Sequence, residues 1–260
     1  MLKDKLHVPM KTVKYTPTDK VMEFIASLVA GCQHTVSINH RLVPDTELAE
    51  ECIGKPRFAD QSGVNRLLRS FTDQNLGELE EVYHQYYLRH SLARRHPNTE
   101  ILIVDLDKTG LKADGETYEG TSKGYFPREK GVKGYQCSFA YVHIYREPLG
   151  FVLGPGNARE IHHIDSLLDL VDKRTEGRPK GSILLRGDGA HGTSQCVKKA
   201  LERGYLILFK GKLPQSARMY ARHITEWKPL KDEIWGGESN LVQLKDCPYK
   251  VRVAVFKQTS

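Results

Sequence analysis

Two short acidic stretches carry the residues best suited to chemistry. In "ILIVDLDKTGL" (101–111), Asp105 and Asp107 close an otherwise apolar run. They are two residues apart, so on a strand both side chains point to one face. In "SILLRGDGAHG" (182–192), Asp188 ends a second apolar run and leads straight into a glycine-rich turn. Carboxylates at the ends of buried strands are costly without a partner. Gathered at one site, they cannot all stay ionised unless cations lie between them. Hard divalent ions, usually Mg²⁺, meet that need while leaving coordination positions open to water or phosphate. Such a site suits metal-assisted, in-line phosphoryl displacement. Any one aspartate at a strand end also serves as a turn former or helix cap. Their occurrence on two separate apolar strands favours a shared site.

The elements that must position these residues are readable from periodicity. The first hundred residues are helical in pattern. "DKVMEFIASLVAGC" places Val21, Phe24, Ile25, Leu28 and Val29 at helical spacing and stops at Gly31. "DTELAEECIG" is a shorter helix, with Asp45 as N-cap and Gly54 as stop. "DQSGVNRLLRSF" follows, and then a long amphipathic segment, "LGELEEVYHQYYLRHSLARRH", closed by Pro97. The character changes at Ile101. "ILIVDLD" reads as a strand, and "YQCSFAYVHIY" with "PLGFVLGPG" as a hairpin-like pair. A helix capped by Asn157 follows, then the strand "SILLRGD", a helix ending at Gly204, and the strand "YLILFKG". The order is β-β-β-α-β-α-β, an α/β arrangement. In such sheets chemistry gathers beyond the carboxyl ends of strands. If the first and fourth strands are neighbours, Asp107 and Asp188 face one site. After Trp227 the pattern returns to strands, through "EIWGG", "NLVQL" and "YKVRVAVFKQ". These shifts predict three segments: a helical 1–97, an α/β core over 98–227, and a β-rich 228–260.

Composition narrows the function classes. The chain of 260 residues has a formal net charge of +7, which leans toward a polyanionic partner. The N-terminus is charged throughout and has no apolar signal core. No stretch approaches the roughly 18 apolar residues of a membrane span, so no membrane partner is expected. The five cysteines form no C-x-x-C pair, and free thiols in a cytoplasmic, nucleoid-associated protein are the expectation.

Two families share features of these motifs. "DLDKTGL" resembles the first-strand motif of haloacid dehalogenase phosphatases, which implies Asp105 as nucleophile and Asp107 as general acid. That superfamily needs a further Asp soon after the second acidic motif, and "GDGAHGTSQCVKK" has none. It also crosses over through a helix after the first strand, and no convincing helix follows Asp107. More of the chain resembles bacterial insertion-sequence transposases of the DDE type. "VDLDKTGL" is similar to their first-strand motif. "KGYFPREKGVKGYQCSFAYVHIYREPLGFVLGPGNA" is similar to their linker and "pGN" turn. "ILLRGDGAHG" resembles their second-Asp motif, and "SLVAGCQHTVSINHRLVPDTELAEECIGKPRFADQSGVNRLLRSF" resembles their helical leader.

That resemblance implies a ribonuclease H-like mixed-sheet core behind an all-helical N-terminal DNA-binding region. It also implies Mg²⁺ or Mn²⁺ held by Asp107 and Asp188, with Asp105 as second choice for the first position. The implied reaction is cleavage at transposon inverted repeats and joining to target DNA, with a homodimer assembled on that DNA. The family's third acidic residue, a Glu, follows a β-rich insertion, and Ser260 comes before any such pattern. Glu202, Glu226, Glu233 and Glu238 all come too early. The expectation is therefore an incomplete active site, exposed apolar sheet surface with poor solubility, or a non-catalytic DNA-binding remnant.

Candidate DNA contacts are Arg66 and Arg69 on the "QSGVNRLLR" helix, Lys130 and Lys133, and Lys210 and Lys212. The Gln, Ser, Asn and Arg residues of that helix suit base reading, while Val64, Leu67 and Leu68 suit a core. The adjacent His162 and His163 do not share a helix face, which argues against a joint metal site. His191 is expected at the mouth of the site beside Asp188.

Overall fold

The computed structural model describes residues 2–10, 14–113, 115, 118–126, 129, 131–211, 214–231 and 233–258. The chain divides into two units, Met1–His90 and Ser91–Ser260.

The first unit is helical: α1 (Pro17–Val29), α2 (Ser37–Arg41), α3 (Thr46–Ile53), α4 (Gln61–Arg69) and α5 (Asp73–His90). Local chemistry sets the ends of these helices. Thr16 and Asp19 close a capping box ahead of α1, with Pro17 in its first turn. The Asp45 carboxylate accepts from the Leu48 amide at 3.0 Å to start α3. Gly54 ends α3 at φ +63°, a left-handed conformation in which a side chain would be strained. Ile38, Leu42, Ala49, Phe58 and Val64 form one buried cluster. Leu6, Val8, Val21 and Leu67 form a second. α1 does not bury the face that its periodicity suggests. Val21 is buried, but so are Glu23 and Ser27, whereas Ile25, Leu28 and Val29 are exposed.

The second unit holds β1 (Leu102–Lys112), β2 (Ser122–Lys123), β3 (Lys133–Val142), β4 (Glu147–Pro155), α6 (Glu160–Arg174), β5 (Ile183–Gly192), α7 (Ser194–Glu202), β6 (Leu206–Gly211), α8 (Pro214–Ala221), β7 (Lys228–Lys231), β8 (Ile234–Gln243) and β9 (Lys250–Gln258). The main sheet runs β4-β3-β1-β5-β6, with the short β2 also paired to β3. β3 is antiparallel to both of its long neighbours, β1 and β4, and β1, β5 and β6 are parallel. This order and direction are those of a ribonuclease H-like mixed sheet. Among the described residues β1 leads on to the antiparallel β3 with no crossover helix between them, unlike the phosphatase alternative. α2, β2, α8 and β7 were not legible from periodicity, and "EIWGG" and "NLVQL" belong to one bulged strand, β8. β7, β8 and β9 form a separate antiparallel sheet.

Strand alternation makes the main sheet two-sided. Leu102, Val104, Leu106, Ala140, Val142, Ile183 and Leu185 are buried, as are Ile164, Leu167, Leu168 and Val171 of α6. Burying each large aliphatic side chain contributes about 1.5–3 kcal/mol. α6 lies on this side, where His163 bonds Ser138 and Leu170 meets Gly150. α7 is tied to α6 by Lys199–Asp165 (2.6 Å), Arg203–Asp169 (2.7 Å) and Arg203–Asp172 (2.9 Å). On the opposite side Phe151 is 66% exposed and Leu208 58%, with Leu153 and Leu206 also exposed. Among the described residues no helix is long and apolar enough to cross a membrane.

Candidate catalytic site

The parallel pairing of β1 and β5 sets the geometry of the acidic residues. Asp105 is level with Arg186, and Leu106 with Gly187. Asp107 and Asp188 are the next residue on each strand. They therefore leave adjacent strands at one level, with backbones about 4.8 Å apart.

The two aspartates of "DLD" have different surroundings. Asp105 is buried, and its carboxylate accepts two bonds from the Arg186 guanidinium, at 2.6 Å (Nε) and 2.8 Å (Nη2). His143 Nδ1 lies 3.0 Å from Asp105 Oδ2. Burial pushes the Asp105 carboxyl up, but the bonds from Arg186 and Tyr141 outweigh it and hold its pKa below the ordinary range. The same bond raises the Tyr141 phenol. Asp105 is thus fully engaged within the protein.

Asp107 is exposed, and its Oδ1 accepts from the Lys108 amide at 2.7 Å. Asp188 has a 63% exposed side chain, and its Oδ1 accepts from the Ala190 amide at 3.0 Å. Among the described residues neither Oδ2 has a bonding partner. Two exposed carboxylates, each with a free oxygen, at one level of adjacent strands fit the hard-oxygen ligand set that Mg²⁺ or Mn²⁺ takes. Among the described residues no group of three His, Cys, Asp or Glu side chains could hold a metal ion. The structure thus brings together two carboxylates. Glu202 is paired to Lys198, and Glu238 to Arg252.

On the other side of β1, Lys108 points to α6 and pairs with Glu160 at 2.5 Å. Burial raises the Glu160 carboxyl, but the Lys108 bond and the charges of Lys108 and His191 hold it below its ordinary range. His163 is buried, its Nδ1 2.7 Å from Ser138 Oγ, while His162 is exposed on another face. Burial lowers the His163 pKa. His191 is not at the site mouth. It is 1% exposed, packed against Gly187 and Phe209, with Nδ1 3.2 Å from Asp188 Oδ1.

The cationic candidates are distributed. Arg66 and Arg69 lie on the exposed face of α4, opposite Val64 and Leu67. Lys210 is exposed on β6, two residues beyond Leu208, the register partner of Arg186. Lys133 opens β3 and is exposed, six residues or about 20 Å from Phe139, the partner of Asp107. Lys130 and Lys212 lie outside the described residues. Arg186, Tyr141 and His143 were missed as site residues. The signal for Arg186 was present: it precedes Asp188 by two residues, as Asp105 precedes Asp107.

With two carboxylates just beyond the last paired residues of neighbouring strands β1 and β5, the comparison with known families is decisive. Residues 2–247 match the model of the family described as Transposase DDE domain group 1. The chain belongs to this family. Among solved structures this DDE-family chain is similar to the piggyBac transposase in a synaptic complex with hairpin DNA. The identity is 13% and the TM-score 0.45, over 98% of this chain and 55% of that one. It is also similar to the Mos1 transposase paired-end complex with left transposon end (13% identity, TM-score 0.29, 78% and 62% covered). A third is the Drosophila P element transposase strand transfer complex (8% identity, TM-score 0.31, 84% and 46% covered). The chain spans just over half the length of the piggyBac transposase chain. No curated protein matches it.

Proposed function

We propose that this chain carries the strand-cleaving and strand-joining site of a DNA transposase, with Asp107 and Asp188 as its metal-binding carboxylates. The observation that carries the reading is the division of labour on β1 and β5. Asp105 is consumed by Arg186, while Asp107 and Asp188 at the next accessible level each keep a free oxygen. Mg²⁺ or Mn²⁺ bound there supplies activation of the attacking oxygen and stabilisation of the leaving one in phosphoryl transfer. Asp107 and Asp188 orient that chemistry, and the Asp105–Arg186 pair holds the two strands in register beside them. Lys210 suits a phosphate contact beside the site, and Lys133, about 20 Å away along β3, a contact farther along the DNA. Arg66 and Arg69, on the exposed face of α4, suit binding of the transposon inverted repeats by a DNA-binding region over residues 1–97. Hydrolysis at the transposon end comes first, and attack of the freed 3′-hydroxyl on target DNA follows. Residues 228–260 are read as belonging to a β-rich insertion that follows the 98–227 core. Two copies on paired ends form the working complex.

The test is Mn²⁺-dependent nicking and strand transfer on inverted-repeat DNA. Asp107→Asn and Asp188→Asn should each abolish product while leaving DNA binding intact. Undiminished nicking by either variant overturns the assignment.

A further inference from the structure

We infer that His191 is a positioning residue that presents Asp188 to the metal, a role that rests on reading Asp188 as a ligand. β5 loses register with β6 between Gly187 and Gly192, an irregularity within the strand that takes the intervening residues out of the ladder. Within this irregular stretch His191 is buried against Gly187 instead of standing at the surface. A Cβ on Gly187 would lie 2.9 Å from the His191 Cβ, so only glycine lets the ring seat there. The Phe209 ring packs at 6.0 Å between centroids.

From that seat His191 Nδ1 lies 3.2 Å from Asp188 Oδ1, the same oxygen that accepts from the Ala190 amide at 3.0 Å. A carboxylate accepts but does not donate, so the Nδ1 proton sits between them. Both internal donors hold one oxygen of Asp188, and the other is left to solvent. A carboxylate pinned in this way is pre-oriented for ligation through Oδ2. Orientation of a ligand by an outer partner typically changes metal affinity 10–100-fold.

The far side of the ring argues against mere packing. His191 Nε2 is buried and has no hydrogen-bond partner among the described residues. A buried unpartnered polar atom costs stability, and an apolar ring in the same seat would not. The histidine is therefore the less stable choice for that space, while its other nitrogen serves Asp188.

The experiment compares His191→Phe, His191→Met and His191→Asn by thermal melting and by Mn²⁺ titration of the full chain, followed by electron paramagnetic resonance of free Mn²⁺ without DNA. The apolar variants should melt at the same temperature as the unsubstituted chain or higher. Their apparent Mn²⁺ dissociation constant should rise about tenfold. His191→Asn, whose amide keeps a donor near Asp188, should recover most of that loss. Unchanged Mn²⁺ affinity in whichever apolar variant folds overturns the inference, as does an Asn variant no better than Phe. An Asp107→Asn/Asp188→Asn control separates the two readings. If it binds Mn²⁺ as well as the unsubstituted chain, the metal reading falls and the role of His191 falls with it.

Discussion

Asp105 and Asp107 are chemically identical and two residues apart, yet replacing them should have opposite consequences. Asp105→Ala removes the acceptor of two guanidinium bonds from Arg186, at 2.6 and 2.8 Å, and the partner of His143 at 3.0 Å. A hydrogen bond to a charged group contributes about 1.5–3 kcal/mol, so the two Arg186 bonds alone come to roughly 3 kcal/mol at the lower bound. The Arg186 side chain is 38% exposed and can rehydrate once abandoned, which trims the loss. A net cost of about 2 kcal/mol follows, or roughly 4–8 °C in melting temperature for a unit of this size. Asp107→Ala removes an exposed side chain bonded to its neighbour's amide and should stay within about 0.5 kcal/mol. Thermal or urea unfolding followed by circular dichroism measures both. In Mn²⁺ titration the order reverses: Asp107→Ala loses a ligand and with it binding, whereas Asp105→Asn loosens only the clamp on Arg186 and weakens binding by less. The acid limb gives a second reading. Because Arg186 and Tyr141 outweigh burial and depress the Asp105 pKa, its contribution is present above the ordinary carboxylate range. It is lost as pH falls through the depressed value. Asp105→Asn should flatten that limb. Equal destabilisation by the two alanine variants, or a larger loss for Asp107→Ala, would refute the division of roles.

Two further predictions concern the rest of the molecule. Glu23 is buried on α1, and burial lifts its carboxyl from 4.5 to about 7 despite the bond from the Ala59 amide. Its folded-state proton stabilises the protein below pH about 4.5, and that contribution falls away by up to about 3 kcal/mol as pH rises to about 7. Glu23→Gln should remove the slope and be the more stable form at pH 8; an unchanged pH profile counts against burial as the cause. On the exposed sheet face, Phe151→Lys with Leu208→Lys should reduce self-association in light scattering at nearly constant melting temperature. Unaltered association places the sticky surface elsewhere.

The sequence made some parts of this molecule legible and hid others for physical reasons. Caps are local, so Asp45 and Gly54 marked α3 correctly. Helix–strand alternation pointed to an α/β core, but that the strands bearing Asp107 and Asp188 are neighbours stayed a condition, met only by the pairing of β1 with β5. Burial direction is not local. The periodicity of α1 suggested Val21, Phe24, Ile25, Leu28 and Val29 as its inner face, yet tertiary packing buries Glu23 and Ser27 and leaves Ile25, Leu28 and Val29 outside. The same limit hid the difference between Asp105 and Asp107. Period two puts them on one face, and only the register of β5 sets Arg186 level with the first. Asn157 illustrates a third kind of loss. It reads as a helix cap, but α6 begins at Glu160, and Asn157 instead bonds Ser122 of β2, a strand too short to carry a pattern.

The alternation of β1 has a mechanistic consequence beyond these assignments. Four consecutive residues look alternately to two layers. Asp105 is clamped to β5 through Arg186, Leu106 is buried in the core, Asp107 is free at the surface, and Lys108 is bonded to Glu160 at the start of α6. The exposed carboxylate is therefore flanked by side chains anchored to a neighbouring strand on one face and to a helix on the other. A ligand built this way needs little reorganisation when charge arrives, which is the condition under which fixed carboxylates and dipoles are most effective. Loosening either anchor should then weaken metal binding without touching Asp107 itself. Lys108→Met, which breaks the Glu160 pair, is the sharper case because Lys108 lies on the opposite face and cannot contact the metal. An anchoring role requires reduced Mn²⁺ affinity from that distant change; an affinity equal to that of the unsubstituted chain would mean that the strand is held rigidly by its ladder alone.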